Sequence, residues 1–182
     1  MGKQNRKWQM KISQKGKNFI EFFEGRRHEA YKDTADIYTI GVGHVKGVKP
    51  YMMATDTQID KWLEEDLAEA TQKIEPYITR EATQAEQDAL ISQAFNMTTK
   101  SSTKLAKYFE KDKQLWKDKT LLYTNDIKGN AVKGLNIRRI SERLYAEERD
   151  WKTFATWAQK KTTNVGMILQ KKKELFNGVL DP

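Results

Sequence analysis

Between Ser13 and Val48 the apolar residues change their spacing once, and that change limits what the chain can fold into. Phe19, Ile20, Phe22 and Phe23 recur at the three- and four-residue intervals of a helix, and Gly25 follows as a C-terminal stop. Beyond it Tyr38, Ile40 and Val42 alternate with Thr39, Gly41 and Gly43, the period of a strand half buried on one side. The expectation is a helix over Ser13 to Glu24 that leads into a small sheet over about Ala30 to Val48. Glu24, Asp33 and Thr39 then meet at a helix-to-sheet junction.

The rest of the chain reads as helix after helix. Thr55-Asp56-Thr57 precedes Ile59, Trp62, Leu63, Leu67, Ala70 and Ile74, a long amphipathic run stopped by Pro76. Thr83 with Glu86 three residues on is a capping-box pattern ahead of Ala89, Leu90, Ala94 and Phe95, and Ser101 or Ser102 is placed to cap Leu105, Ala106 and Phe109. Asn125 to Gly134 reads as a loop. Further amphipathic runs carry Leu135, Ile140, Leu144 and Tyr145, then Trp151, Phe154, Ala155, Trp157 and Ala158. Val165, Ile168, Leu169 and Phe176 close the chain before Gly178. The fold class is α+β, dominated by helix.

With 182 residues the chain suits one cored unit, expected over 13–182 and preceded by a basic extension over 1–12. It has no cysteine, so neither disulfides nor thiolate metal sites contribute. The start, Met1 to Lys17, is basic and lacks the apolar stretch of a signal peptide, so the expectation is a protein made in the cytoplasm with no membrane insertion. A net charge of +8 favours an acidic partner, whether nucleic acid, anionic cell wall or membrane surface. The aromatic-bearing basic stretch Lys104 to Lys117 suggests nucleic acid, but it carries no recognition motif, and specific nucleic-acid binding is not expected.

Cleaving a glycosidic bond takes one protonated carboxyl, which delivers a proton to the leaving oxygen, and one ionised carboxylate, which activates water or attacks carbon. Glu24 and Asp33 suit those roles. At the end of the first helix Glu24 would face the negative pole of the helix dipole, a setting suited to a proton donor. Asp66 falls on the apolar face traced by Ile59, Leu63, Leu67 and Ala70, where a carboxylate needs a partner. Taken singly, Glu24 as a cap, Asp33 as a turn former and Thr39 as a strand residue are ordinary. Their joint register with Gly41, Gly43 and His44 is not.

Glu24-Gly25-x-Arg27, Ala30-Tyr31-x-Asp33 and Thr39-Ile40-Gly41-x-Gly43-His44 resemble the signature of phage-type lysozymes, the endolysins of glycoside hydrolase family 24. The likeness is close over about Phe19 to His44 and looser over Leu63 to Asp66, Leu90 to Asn96 and Gly134 to Trp151. It implies a lysozyme-like fold: a small lobe with a short antiparallel sheet, about 19–75, joined by a long helix to a larger helical lobe, about 76–182 plus the first helix. It also implies cleavage of the β-1,4 bond between N-acetylmuramic acid and N-acetylglucosamine in bacterial peptidoglycan. Glu24 would be the general acid; Asp33 would stabilise the oxocarbenium-like transition state and help activate water, which Thr39 would orient.

Gly41 and Gly43 lack side chains where backbone would have to approach the sugar, although glycine in a strand equally marks a bulge. The same resemblance assigns supporting roles. Asn96 would donate to an N-acetyl group, with Phe95 beside it as a cleft aromatic that also serves the core. His44 would pair with Asp66, and Arg138 in preference to Arg139 would reach Glu24. No metal or organic cofactor is expected, and the protein is expected to be a monomer that acts on the cell wall after holin-type release from the host cytoplasm. Two alternatives stay open: a lytic transglycosylase, and an inactive cell-wall-binding protein on the same fold. The chain departs from the family at Ala35-Asp36, where a hairpin glycine is usual, and at Met97-Thr98-Thr99, which lacks the glycine after the cleft amide.

Overall fold

The computed structural model describes residues 9–125 and 128–176. Among them are eight α-helices and one two-stranded antiparallel sheet, in the order α1 (Gln14–Glu24), β1 (Arg27–Lys32), β2 (Tyr38–Gly41), α2 (Asp56–Ile74), α3 (Gln84–Asn96), α4 (Thr99–Lys111), α5 (Lys113–Thr120), α6 (Lys133–Ala146), α7 (Trp151–Ala158) and α8 (Val165–Phe176). The sheet forms the small lobe, α2 leads away from it, and α3 to α8 with α1 build the larger helical lobe, the lysozyme-like arrangement that the resemblance implies.

Side chains set most of the boundaries. The Ser13 hydroxyl accepts from Gly16 N and Thr55 from Gln58 N, which starts α1 and α2 one residue later in each case. Thr83 and Glu86 form both bonds of the capping box at α3. Pro76, which lacks an N–H, sits in a single 3-10 turn, Glu75–Tyr77, that ends α2. The cap of α4 is Thr98 and not Ser101 or Ser102: its hydroxyl accepts from Ser101 N, so the helix starts a turn earlier than the apolar residues suggest. Asp112 both closes α4 and caps α5, a break that the periodicity conceals.

The sheet is shorter than expected and begins earlier. Ile40 and His44 exchange backbone hydrogen bonds of 2.9 and 3.0 Å around a tight turn in which Gly41 and Gly43 have φ of 65° and 73°, so the strand stops before Val42. The expected alternation also fails inside it, since Thr39 and Ile40 are both buried. The other edge of β1 is covered by residues 52–54: Ala30 N donates to Met52 O and Ala54 N to His28 O. The expected loop at Asn125 to Gly134 is shorter than supposed, because Lys133 already begins α6; its residues 126–127 lie outside the described residues, as do Gly178 and residues 1–8 of the N-terminal extension. Met10, within that extension, is buried in the core.

Two apolar clusters fill the helical lobe. One gathers Phe19, Ile20, Leu63, Leu67, Leu90, Ile91, Leu105, Phe109 and Trp116; the other gathers Ile137, Ile140, Leu144, Phe154, Ala155, Ile168 and Phe176. Phe23 and Trp151 touch both, within a set of rings that includes Phe19, Phe22 and Tyr145 at centroid separations of 4.6–6.3 Å. Phe19, the buried ring among them, stabilises by about 1.5–3 kcal/mol, and its contacts with Tyr145 and Trp151 pin α1 against the end of α6 and the start of α7. The middle helix α6 is buried from Asn136 to Leu144 although Asn136, Arg138, Arg139, Ser141, Glu142 and Arg143 are polar. An enclosed helix of that kind must satisfy its charges internally.

Candidate active site

Glu24 is the last residue of α1, and Gly25, at φ 73°, turns the chain off the helix while its N–H donates 2.8 Å to Glu21 O. The turn is braced by Arg26, which donates to Glu21 Oε1 (2.8 Å), Asp56 Oδ1 (2.9 Å) and Asp60 Oδ1 (2.6 Å) and so ties the end of α1 to the start of α2. Its hydrogen bonds to Glu21, and then to Asp60, hold the Arg26 guanidinium firmly in its charged form. With its backbone fixed, the Glu24 side chain is 22% exposed and receives Arg138 Nη1 at 2.5 Å on Oε1. Its other oxygen faces Gly43: a Cβ built there would lie 3.2 Å from Oε2 and 3.5 Å from Cε1 of Phe95. Glu24, Gly43 and Phe95 thus meet at one place.

Behind Arg138 lies a buried polar network. Arg138 Nε donates 3.3 Å to Glu142 Oε1 and Nη2 donates 3.2 Å to Ser92 Oγ, which itself donates 2.7 Å to the same Glu142 oxygen. The Phe23 ring lies under the guanidinium, 5.2 Å from its carbon. Arg139, the alternative partner for Glu24, turns the other way, donating from Nη2 to Asn96 Oδ1 and approaching Glu142 Oε2 at 3.2 Å. The i+3 and i+4 spacing of Glu142 from the two arginines was a visible signal for this network; nothing in the sequence marks Ser92 except its place one turn before Asn96.

Asp33 leaves β1 and shapes the hairpin. Its Oδ1 accepts from Ala35 N at 2.8 Å and Ile37 N at 2.9 Å, while Asp36 N donates to its carbonyl. Both side-chain bonds fall on Oδ1. Asp36 takes φ 63° where a glycine would be usual. At the next departure, Met97 ends α3 at φ −111°, outside the left-handed region, so that turn makes no demand for glycine. Thr39, opposite Tyr31 in the sheet, is 3% exposed, and its hydroxyl donates 3.1 Å to Ile37 O. Burial raises the Tyr31 phenol, the nearby Arg27 charge lowers it, and the negative charges of both Glu24 and Asp33 raise it further.

The remaining candidates divide. His44 Nδ1 lies 2.7 Å from Asp66 Oδ2 and Nε2 lies 3.0 Å from Lys46 O, with the Trp62 ring stacked on the imidazole at 4.7 Å; this cluster joins the sheet turn to α2. Gly41 serves the fold: its missing side chain leaves room for Ile59 of α2, whose Cγ2 would be 3.1 Å from a Cβ. Asn96 is exposed at the end of α3, and Phe95 is part buried beside the core. A cavity of about 810 Å³ between α7 and α8, lined by Phe154, Trp157, Met167 and Leu175, contains none of these residues. Among the described residues no group of three or more His, Cys, Asp or Glu is disposed to hold a metal.

The phage lysozyme family model matches residues 21–142, the span that carries Glu24, the hairpin, α2, α3 and the arginine pair of α6. The endolysin of Bacillus phage B103 is 36% identical over 140 residues, covering 74% of this chain and 53% of the relative. That of Lactococcus phage c2 is 42% identical over 90 residues, or 48% of this chain and 39% of the relative, so the chain spans about half the length of these curated relatives or less. The endolysin from Escherichia coli O157:H7 phage FAHEc1 superposes with a TM-score of 0.69 at 31% identity, covering 76% of this chain and 94% of that structure. The carboxylate at the helix end, the hairpin and the arginine behind them all fall within the matched span: the chain belongs to the phage lysozyme family.

Proposed function

We propose that the chain is a muramidase, a peptidoglycan hydrolase that serves host lysis by a phage or prophage and cleaves the β-1,4 bond from N-acetylmuramic acid to N-acetylglucosamine. The observation that carries this reading is the Glu24 carboxyl, part exposed, braced on one oxygen by Arg138 and open on the other toward Gly43. Glu24 is the general acid: its proton passes to the glycosidic oxygen as the bond from C1 breaks, and Arg138 then stabilises the carboxylate that remains.

Asp33 is the second carboxylate. With Oδ1 engaged by the hairpin, its other oxygen serves the oxocarbenium-like carbon and takes the proton of the water whose oxygen bonds to C1. The Thr39 hydroxyl proton is committed to Ile37 O, which leaves its lone pairs to accept a hydrogen from that water. Asn96, Phe95 and Gly43 line the substrate side. The basic chain favours an anionic polymer. The enzyme is a monomer without cofactor, and holin-type release carries it from the host cytoplasm to the wall. Among the described residues no helix is long and apolar enough to cross a membrane.

The end groups test this reading. Purified peptidoglycan digested by the protein and reduced with borohydride should yield muramitol ends. Glucosaminitol ends would name a different bond, 1,6-anhydromuramic ends a transglycosylase, and no new ends an inactive wall-binding protein.

A further inference from the structure

Arg139 is fully enclosed, at 0% exposure, one residue beyond the arginine that meets Glu24. A buried guanidinium is costly unless its N–H groups are all partnered. Among the described residues, Nε and Nη1 of Arg139 make no hydrogen bond, and Glu142 Oε2, though 3.2 Å from Nη1, lies off the hydrogen-bond line. Burial lowers its pKa to about 10, against the opposing pull of Glu142, so the group is still charged at neutral pH. An apolar side chain of similar volume would suit stability as well or better.

What the guanidinium does achieve is one bond, from Nη2 to Asn96 Oδ1. A guanidinium carries donors only, so the amide must turn its oxygen inward, and both N–H bonds of Nδ2 point away from Arg139. Asn96 is exposed and follows Phe95, whose ring sits with Gly43 beside Glu24. The two arginines also share Glu142, one on each oxygen.

We infer that Arg139 is a positioning residue: its Nη2 locks Asn96 as an outward amide donor for the acetamido carbonyl of an N-acetylhexosamine. The inference rests on the muramidase reading. It accounts for a buried charge that stability alone does not favour.

Kinetics on purified peptidoglycan with Asn96→Ala, Arg139→Met, their combination and Asn96→Asp provide the test. Each single variant should raise KM about 5- to 10-fold, the value of one hydrogen bond, with kcat and its pH profile within about twofold of wild type. The double variant should be no worse than either single one. Asn96→Asp keeps an acceptor for Arg139 but has no outward donor, so it should match Asn96→Ala in KM with a Tm no lower than wild type. On de-N-acetylated peptidoglycan the gap between wild type and Asn96→Ala should close.

Additive losses in the double variant, an unmoved KM in Asn96→Asp, or a gap that persists without acetyl groups would each overturn the inference. If Arg139→Met does not fold, the two Asn96 variants decide alone. A wild type that releases no ends contradicts the muramidase reading instead, whereas release with unmoved KM in the variants contradicts only this one.

Discussion

Glu24 and Asp33 stand nine residues apart, yet they are held by different kinds of structure. The hydrogen bond to Glu24 comes from Arg138, 114 residues away, backed by Glu142 and Ser92 inside the helical lobe. Asp33 takes its two from Ala35 and Ile37, in its own hairpin. One carboxyl depends on the packing of α1, α3 and α6; the other depends on a turn. Removing the buried charges behind Glu24 should therefore cost much stability, whereas the hairpin side should lose activity with little else.

The largest stability effect is expected at Glu142. Removing it in Glu142→Ala leaves two buried arginines without their counter-ion, which costs about 3–5 kcal/mol; urea unfolding should show it as a large fall in midpoint. Asp33→Ala removes two exposed hairpin bonds and should cost about 1–2 kcal/mol while reducing turnover by about 10²-fold or more. Similar losses of stability at the two sites would break the comparison.

A smaller difference lies in alkaline stability. Tyr145 on α6 donates 2.7 Å to Asp88, which also binds Ser13 at the start of α1. Burial, and then Asp88, push its phenol far above the ordinary tyrosine value. The folded state thus favours the protonated phenol: its contribution is whole below about pH 10, the unfolded value, and is lost as pH rises beyond it. Unfolding of wild type and Tyr145→Phe at pH 9 and 11 should converge at the higher pH. For Tyr31→Phe in the hairpin the same convergence should be smaller, because the shift of Tyr31 is the lesser one.

The same contrast explains what the sequence disclosed. The fold class, the capping box at Thr83 and the helix-to-sheet switch at Gly25 are written in local spacing and were legible. Resemblance suggested the Glu24 to Arg138 contact; no local pattern could, since it joins residues on different helices. Glu142 escaped, and with it the contacts that Arg139 makes to Glu142 and Asn96, because the amphipathic spacing of α6 does not show that its polar face is enclosed; only the tertiary fold does. One glycine has a further role that no strand pattern encodes: the missing side chain of Gly41 leaves room for Ile59 on α2. Asp112 concealed a helix break because α4 and α5 share one basic, aromatic-bearing stretch.

The central claim is that Glu24 donates the proton that breaks the glycosidic bond. Its most direct test is the rate of reducing-end release from purified peptidoglycan by equal amounts of folded wild type and Glu24→Gln, whose amide can still accept from Arg138. The account predicts a drop of about 10²- to 10⁴-fold in the variant, with unfolding midpoint little changed. Equal release by the two proteins would contradict it.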